Sequence, residues 1–227
     1  LIDVAEWAEN NVASVLCSCL ATHALLKHFH GIDRQPMQQK RWGVFSHRIS
    51  DELHPLIRDI NTRFDVPHSR YNDISREQLT AAGLNVLAES ADGGVHLAVS
   101  PDQARVIYFQ GHPEYDRVSL LKEYKREVLR FASGERKDVP PFPENYFPDA
   151  ARQLIEPALA DTAALADILD RAVEPHLDNT WGDTAKAIIN NWLGIVYQLT
   201  NLERTKQFMP DVDPDDPLNI RKQLKQK

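Results

Sequence analysis

The stretch Ala13-Ser-Val-Leu-Cys-Ser-Cys-Leu-Ala-Thr-His-Ala-Leu-Leu-Lys-His-Phe-His-Gly31 decides the fold. Ala13 to Cys17 is short, apolar and partly β-branched, as a buried strand requires, and the run from Leu20 to Phe29 is apolar at 20, 21, 24, 25 and 29, a helical period that Gly31 closes. A strand, a tight turn at Ser18-Cys19 and then a helix make an α/β unit. Upstream, Ile2 to Asn11 reads as the end of an amphipathic helix. Downstream, Asp51 to Thr62 is expected to be a helix with Ser50 as its N-cap. Asn85–Ser90 and Val95–Ser100 flank Asp92-Gly93-Gly94, a hairpin signal. Val106–Phe109 is a further buried strand, followed by a charged helix from about Asp116 to Ala132.

Beyond Gly134 the texture changes. Pro140, Pro141, Pro143 and Pro148 make an extended connector. Helices are expected over about Ala150–Ala172 and Thr180–Thr205. The tail over 210–227 opens with three Pro and four Asp in eight residues and is expected to be poorly ordered. The expectation is one α/β domain over 1–209, with a helical extension from about 150.

The bulk numbers limit the function. The chain has 227 residues, with 26 Lys+Arg against 33 Asp+Glu and a net charge of −7. With no basic run, neither nucleic acid nor an anionic membrane is expected as a partner. No apolar stretch approaches the ~20 residues that span a bilayer. Cys17 and Cys19, the 2 cysteines, form no disulfide framework, which suits a reducing, cytoplasmic setting.

Three residues carry candidate chemistry. Cys19 stands where a strand meets a helix N-terminus, a position that favours a thiolate and can hold a nucleophile exposed. Cys17, inside the strand, reads as a small hydrophobe, the bland reading that applies to Cys19 as well. A metal site on the two cysteines would need further ligands, and His23, His28 and His30 point in different directions from their helix, so no metal is expected. Gln110-Gly-His-Pro-Glu-Tyr-Asp116 follows a buried strand and offers His112 as base with Glu114 as its orienting carboxylate. Read alone, that pair is a loop histidine beside a loop glutamate; read with Cys19, it completes a nucleophile, base and orienter.

Gly-His-Pro-Glu after a strand, with an elbow cysteine upstream, resembles the class I glutamine amidotransferase-like superfamily. The closer resemblance is to the homoserine O-acyltransferase family. Its blocks are Gly31-Ile32, Trp42-Gly-Val-Phe-Ser-His-Arg48, Pro67-His-Ser-Arg-Tyr71, Gln110–Asp116, Pro143-Glu-Asn-Tyr-Phe-Pro148, Asn179-Thr-Trp181 and Asn191-Trp-Leu193. They run in family order to about Gln198, with extra sequence between Pro148 and Pro175. The resemblance implies a flavodoxin-like three-layer sandwich with a mostly parallel sheet. It implies transfer of a succinyl or acetyl group from acyl-CoA to L-homoserine through a thioester on Cys19, in methionine biosynthesis, by a cytoplasmic homodimer without a cofactor. His112 would be the base and Glu114 its partner, while Lys40, Ser69 and Arg126 would contact the amino-acid substrate. Without the resemblance, these last three read as a surface lysine, a loop serine and one more charge on an exposed helix.

The resemblance also places the residue that selects the donor upstream of Leu1, in a further α/β portion; succinyl is the expected donor. The family elbow Cys-Trp-Gly-Ala-Gln is here Cys19-Leu20-Ala21-Thr22-His23. Ala21 stands for a glycine, which puts the oxyanion geometry in question, and His23 stands for a glutamine and is expected to pack on its helix. Neither change removes the nucleophile, base or orienter. The competing readings are a glutamine amidotransferase-type hydrolase and a relic domain that only binds.

Overall fold

A computed structural model describes residues 1–159, 162–203 and 205–220. Helix α1 (Ile2–Asn11) leads into strand β1 (Val15–Ser18), and helix α2 (Leu20–His30) ends at Gly31, whose φ of 68° is the left-handed turn that glycine adopts freely. Then come β2 (Gln35–Ile49), β3 (Arg63–Asp73), helix α3 (Arg76–Ala81), β4 (Asn85–Ser90), β5 (Gly94–Val99) and β6 (Val106–Phe109). Helix α4 (Ser119–Ala132) precedes the proline connector, and α5 (Asp149–Ala158), α6 (Thr162–Ile168) and α7 (Gly182–Leu199) follow it. Over the stretch expected as one helix, Ala150–Ala172, the described residues give α5 and α6, with 160–161 outside them, and α6 runs on into a wider π-helical turn over Leu169–Val173 and a 3-10 turn over Glu174–His176. No helix among the described residues is long and apolar enough to cross a membrane.

The six strands form one sheet in the order β1-β6-β5-β4-β2-β3. Only β1 and β6 run parallel; the other four neighbouring pairs are antiparallel. The expectation of a mostly parallel sheet is thus corrected to a mixed one. Parallel neighbours need long crossovers, whereas β4–β5 is a hairpin, and β2 returns beside itself as β3 through the segment over 50–62. Helices still cover both faces. Ile107 and Phe109 point to α7 with Leu97, Val99, Ile188 and Ile195, while Tyr108 points to α1–α3 with Leu25, Leu26, Leu79 and Val86. A third core joins α4–α6 to Trp42, Val44 and Phe147 beside the β2 end of the sheet.

The helix expected over Asp51–Thr62 is a turn containing one 3-10 turn, Pro55–Ile57. Pro55 cannot donate within a helix, His54 Nδ1 takes the Leu56 N–H, and the Asn191 amide donates to the carbonyls of Leu56 and Arg58. Those tertiary bonds replace the helical ladder while Leu56 and Ile57 are buried under α7.

The proline connector is extended as expected and docks on β2. Val44 N–H donates to the Glu144 carbonyl and Glu144 N–H to the Trp42 carbonyl, both at 2.8 Å. Gly43 between them has φ 147°, and a Cβ there would stand 2.2 Å from the Glu144 oxygen, so a side chain would push the connector off. In the tail, Val212 and Leu218 pack against the second core, and 221–227 lie outside the described residues.

Candidate active site

The site begins at the end of the parallel pair. Cys19, between β1 and α2, has φ 48° and ψ −113°, a conformation that costs a side-chain-bearing residue about 1–3 kcal/mol and must be held in place. The Cys19 N–H donates to the Phe109 carbonyl at 2.8 Å, and the Thr22 hydroxyl donates to the same oxygen at 2.7 Å, tying the turn to the end of β6. The first N–H groups of α2 start here, where a helix leaves them without internal partners. Cys19 is half-buried and Cys17 buried; burial pushes the Cys17 thiol up to about 12 despite the opposing Thr22 hydrogen bond. Cys17 is therefore inert at neutral pH.

His23 packs inward. Its Nε2 lies 3.0 Å from Gln110 Oε1, which also accepts the Ile74 N–H at 2.9 Å. That oxygen is an acceptor, so His23 donates to it and braces the segment entering the Gly-His-Pro-Glu turn. Burial lowers the His23 pKa, against the Gln110 hydrogen bond.

His112 arrives from β6. Its N–H donates to the Pro67 carbonyl at 2.9 Å, and Gly111 lets the turn lie against β3 and β5; a Cβ on Gly111 would meet Val66 Cγ1 at 2.6 Å and the rings of His68 and His96 at 2.9 Å. His112 Nδ1 donates to Glu114 Oε1 at 2.8 Å, and the Ser18 hydroxyl donates to the same oxygen at 3.1 Å. Nδ1 being so engaged, Nε2 is the nitrogen that exchanges protons. It is buried without a nitrogen or oxygen partner among the described residues, and the Cys19 thiol is the neighbour that interacts with the imidazole. Burial alone would push the His112 pKa down, but the Cys19 sulfur and the Glu114 carboxylate outweigh it and raise it to about 9. Burial works to raise the Glu114 pKa, but the His112 hydrogen bond and charge, a backbone N–H and the Ser18 hydroxyl together lower it. The Tyr115 ring stacks on His112, centroids 4.1 Å apart, and Trp181 Nε1 donates to the Tyr115 carbonyl at 2.7 Å. The structure thus brings Cys19, His112 and Glu114 together.

A second polar cluster lies across Tyr115. Glu123 on α4 accepts the Tyr115 hydroxyl at 2.6 Å on Oε1, and on Oε2 it accepts the Ser69 hydroxyl at 2.6 Å and Lys40 Nζ at 3.1 Å. Lys40 Nζ also sits 4.0 Å above the Trp42 ring. Burial lowers the Lys40 pKa, opposed by Glu123. Lys40 and Ser69 are therefore joined by Glu123, a glutamate that nothing in its sequence neighbourhood marks out. Arg126 is outside this cluster: it is exposed and pairs with Glu127 at 3.3 Å, although its charge reaches Lys40.

Beneath the Gly-His-Pro-Glu turn lie three buried histidines. Arg70 Nη1 donates to His68 Nδ1 at 2.8 Å, so His68 carries its proton on Nε2, which donates to His47 Nε2 at 3.2 Å. His47 must then carry its proton on Nδ1, which donates to the Phe45 carbonyl at 2.9 Å. The bonds that His68 Nδ1 and His47 Nε2 accept require both rings to be neutral, in keeping with burial, which lowers His47 to about 4 and pushes His68, like the neighbouring His96, well down. Among the described residues no group of His, Cys, Asp and Glu is arranged to hold a metal. Arg70 is buried too; burial lowers its pKa to about 10, against Asp73 and the nearby Cys19.

A family model described as homoserine O-succinyltransferase matches residues 1–202. The homoserine O-succinyltransferase of Methylococcus capsulatus is 58% identical over 227 residues, covering 97% of this chain and 64% of the relative. That of Nitrosococcus oceani is 56% identical over 229 residues, covering 98% and 64%. The chain thus spans 64% of the length of these curated relatives. Among solved structures, a glutamine amidotransferase from Methylobacillus flagellatus overlaps 85% of this chain and 66% of its own, with a TM-score of 0.49 and 13% identity.

Proposed function

The chain belongs to the homoserine O-succinyltransferase family, and from that premise we propose that it moves a succinyl group from succinyl-CoA to the hydroxyl of L-homoserine through a thioester on Cys19. The observation that carries the proposal is the elbow thiol beside an imidazole whose Nδ1 is fixed by a carboxylate and whose Nε2 is unspent.

Each step balances on these groups. The Cys19 proton passes to His112 Nε2, and the thiolate attacks the thioester carbonyl carbon of succinyl-CoA. The carbon–sulfur bond to CoA breaks, and the departing thiolate takes the proton from His112. One thioester replaces another, so the intermediate is reached with little change in energy. His112 then accepts the proton of the homoserine hydroxyl, whose oxygen attacks the acyl carbon. Cys19 leaves and recovers that proton. The first N–H groups of α2 support the oxyanion in both halves, each such donor typically contributing about 3 kcal/mol. Lys40, Ser69 and Arg126 serve the amino-acid acceptor in this reading.

An amidotransferase would leave the Lys40–Ser69–Glu123 cluster without a task, which favours the transferase. The proposal includes a cytoplasmic homodimer, on the family resemblance alone. Steady-state kinetics test it. Release of CoA from succinyl-CoA should depend on L-homoserine and give parallel double-reciprocal lines, with O-succinyl-homoserine as product. Ammonia release from glutamine, with no acyl transfer, would overturn it.

A further inference from the structure

At the end of the β2–β3 ribbon away from Lys40, two arginines stand side by side. Arg48 on β2 is directly opposite Arg63 on β3, and on its other side it is directly opposite Glu89 on β4. Residues paired across neighbouring strands share a face, with Cβ atoms about 5 Å apart, and like charges so placed repel. Glu89 does not relieve them, because its Oε1 lies 3.1 Å from Arg76 Nη1 and accepts the Ser50 hydroxyl at 3.3 Å. Arg48 and Arg63 are exposed, and among the described residues neither side chain makes an ion pair or a hydrogen bond. Charges on an edge strand such as β3 guard it against pairing, which accounts for Arg63. That gives no reason for a second arginine opposite it on β2, an inner strand.

Arg48, Arg63 and Arg76 open on one recess of about 650 Å³, with Ser90 and Asp92 of the β4–β5 hairpin at its side. Arg76 Nη1 is buried and, although close to Glu89, has no hydrogen-bond acceptor among the described residues. Ser90 Oγ accepts the N–H groups of Asp92 at 3.3 Å and Gly93 at 3.0 Å, which leaves its own proton to donate. Asp92 is exposed and forms no ion pair with these arginines. The recess thus gathers unspent donors and an excess of positive charge in a chain whose net charge is −7.

We propose that this recess is a phosphate site, in which Arg48, Arg63 and Arg76 hold a phosphomonoester or phosphate dianion and the Ser90 hydroxyl donates to it. A dianion offsets the repulsion between Arg48 and Arg63, and its oxygens meet guanidinium forks arriving from β2, β3 and α3. A carboxylate, with one charge and two oxygens in a plane, would satisfy fewer of these donors. The volume exceeds that of one phosphate group and falls in the range of small-molecule pockets. Two sources carry the group: inorganic phosphate, and the 3′-phosphate at the nucleotide end of CoA. The recess is separate from the reacting groups. Pro67, whose carbonyl holds the His112 N–H, is four residues from Arg63 along β3, about 13 Å of extended strand.

Calorimetric titration of the full chain at low ionic strength, with inorganic phosphate, CoA and dephospho-CoA, tests the site without calling on acyl transfer. Arg48→Gln and Arg63→Gln should each weaken, about tenfold, the binding of inorganic phosphate or that of CoA relative to dephospho-CoA. Loss of the phosphate affinity alone assigns the recess to free phosphate, and loss of the preference for CoA over dephospho-CoA assigns it to the nucleotide. Arg171→Gln, which removes an exposed arginine outside the recess, should change neither. Without phosphate, Arg48→Gln should melt no lower than wild type, since it removes a like-charge pair. Binding that survives both substitutions, or that Arg171→Gln weakens as far, would overturn the proposal. So would Arg48→Gln melting well below wild type without phosphate, because Arg48 would then be held by the fold and not kept for an anion.

Discussion

Two histidine neighbourhoods lie on either side of Gly111, and they respond to burial in opposite ways. His47, His68 and His96 are buried among one another, Arg70 and a backbone carbonyl, and all are pushed down, His47 to about 4. His112 is also buried, but it faces a carboxylate and a thiol and is raised to about 9. Burial alone favours the neutral ring; an anionic partner reverses the sign. In the first group hydrogen bonds fix the tautomers of His47 and His68; in the second, His112 is the proton carrier of the proposed reaction.

The linkage follows from those directions. His112 has a folded pKa above its ordinary 6.5, so its contribution to stability is complete below about 6.5 and is lost as pH rises towards 9. The buried trio has folded values below 6.5, so its contribution is complete above that pH and is lost as pH falls through 6.5 towards 4.

Substitutions can break this contrast to different degrees. His112→Asn removes the proton carrier of the proposed reaction and should lower kcat/KM about a thousandfold, measured by CoA release, and should also lower the melting temperature, more below pH 6.5 than near pH 9, where the His112 contribution is lost. Glu114→Gln removes the anion that reverses the sign. The His112 ring, followed by NMR titration, should then titrate below about 9, and activity should fall roughly ten- to a hundredfold, less than for a fully buried orienting carboxylate because Glu114 is half exposed. Gly111→Ala drives a methyl group between the two neighbourhoods and should cost about 1–3 kcal/mol in urea unfolding. His47→Phe leaves the His68 Nε2–H without its acceptor and should cost about 1 kcal/mol, while moving the acid limb of unfolding to lower pH.

How far the sequence could be read follows the same division between local and tertiary causes. The β1-turn-α2 unit, the β4–β5 hairpin and β6 were legible because their signals are local: apolar runs, Gly31, and Asp92-Gly93-Gly94. So was the meeting of Cys19, His112 and Glu114, because turn residues after strands carry them. The β2–β3 ribbon was not, since Gln35 to Arg41 is polar and its burial pattern begins only at Trp42. The false helix at Asp51–Thr62 shows local periodicity overruled by Asn191, a partner more than a hundred residues away. Glu123 was hidden for a related reason. In Lys-Glu-Tyr-Lys-Arg-Glu it looks like one more solvated charge, and only Lys40 from β2 and Ser69 from β3 turn it inward.

The central claim is that Cys19 holds the acyl group, and intact mass spectrometry after incubation with succinyl-CoA tests it most directly. The wild-type chain should gain one succinyl group on the peptide containing Cys19 and lose it when L-homoserine is added, while Cys19→Ala should gain nothing. An adduct of equal size on Cys19→Ala, or one that homoserine leaves in place, would contradict the account.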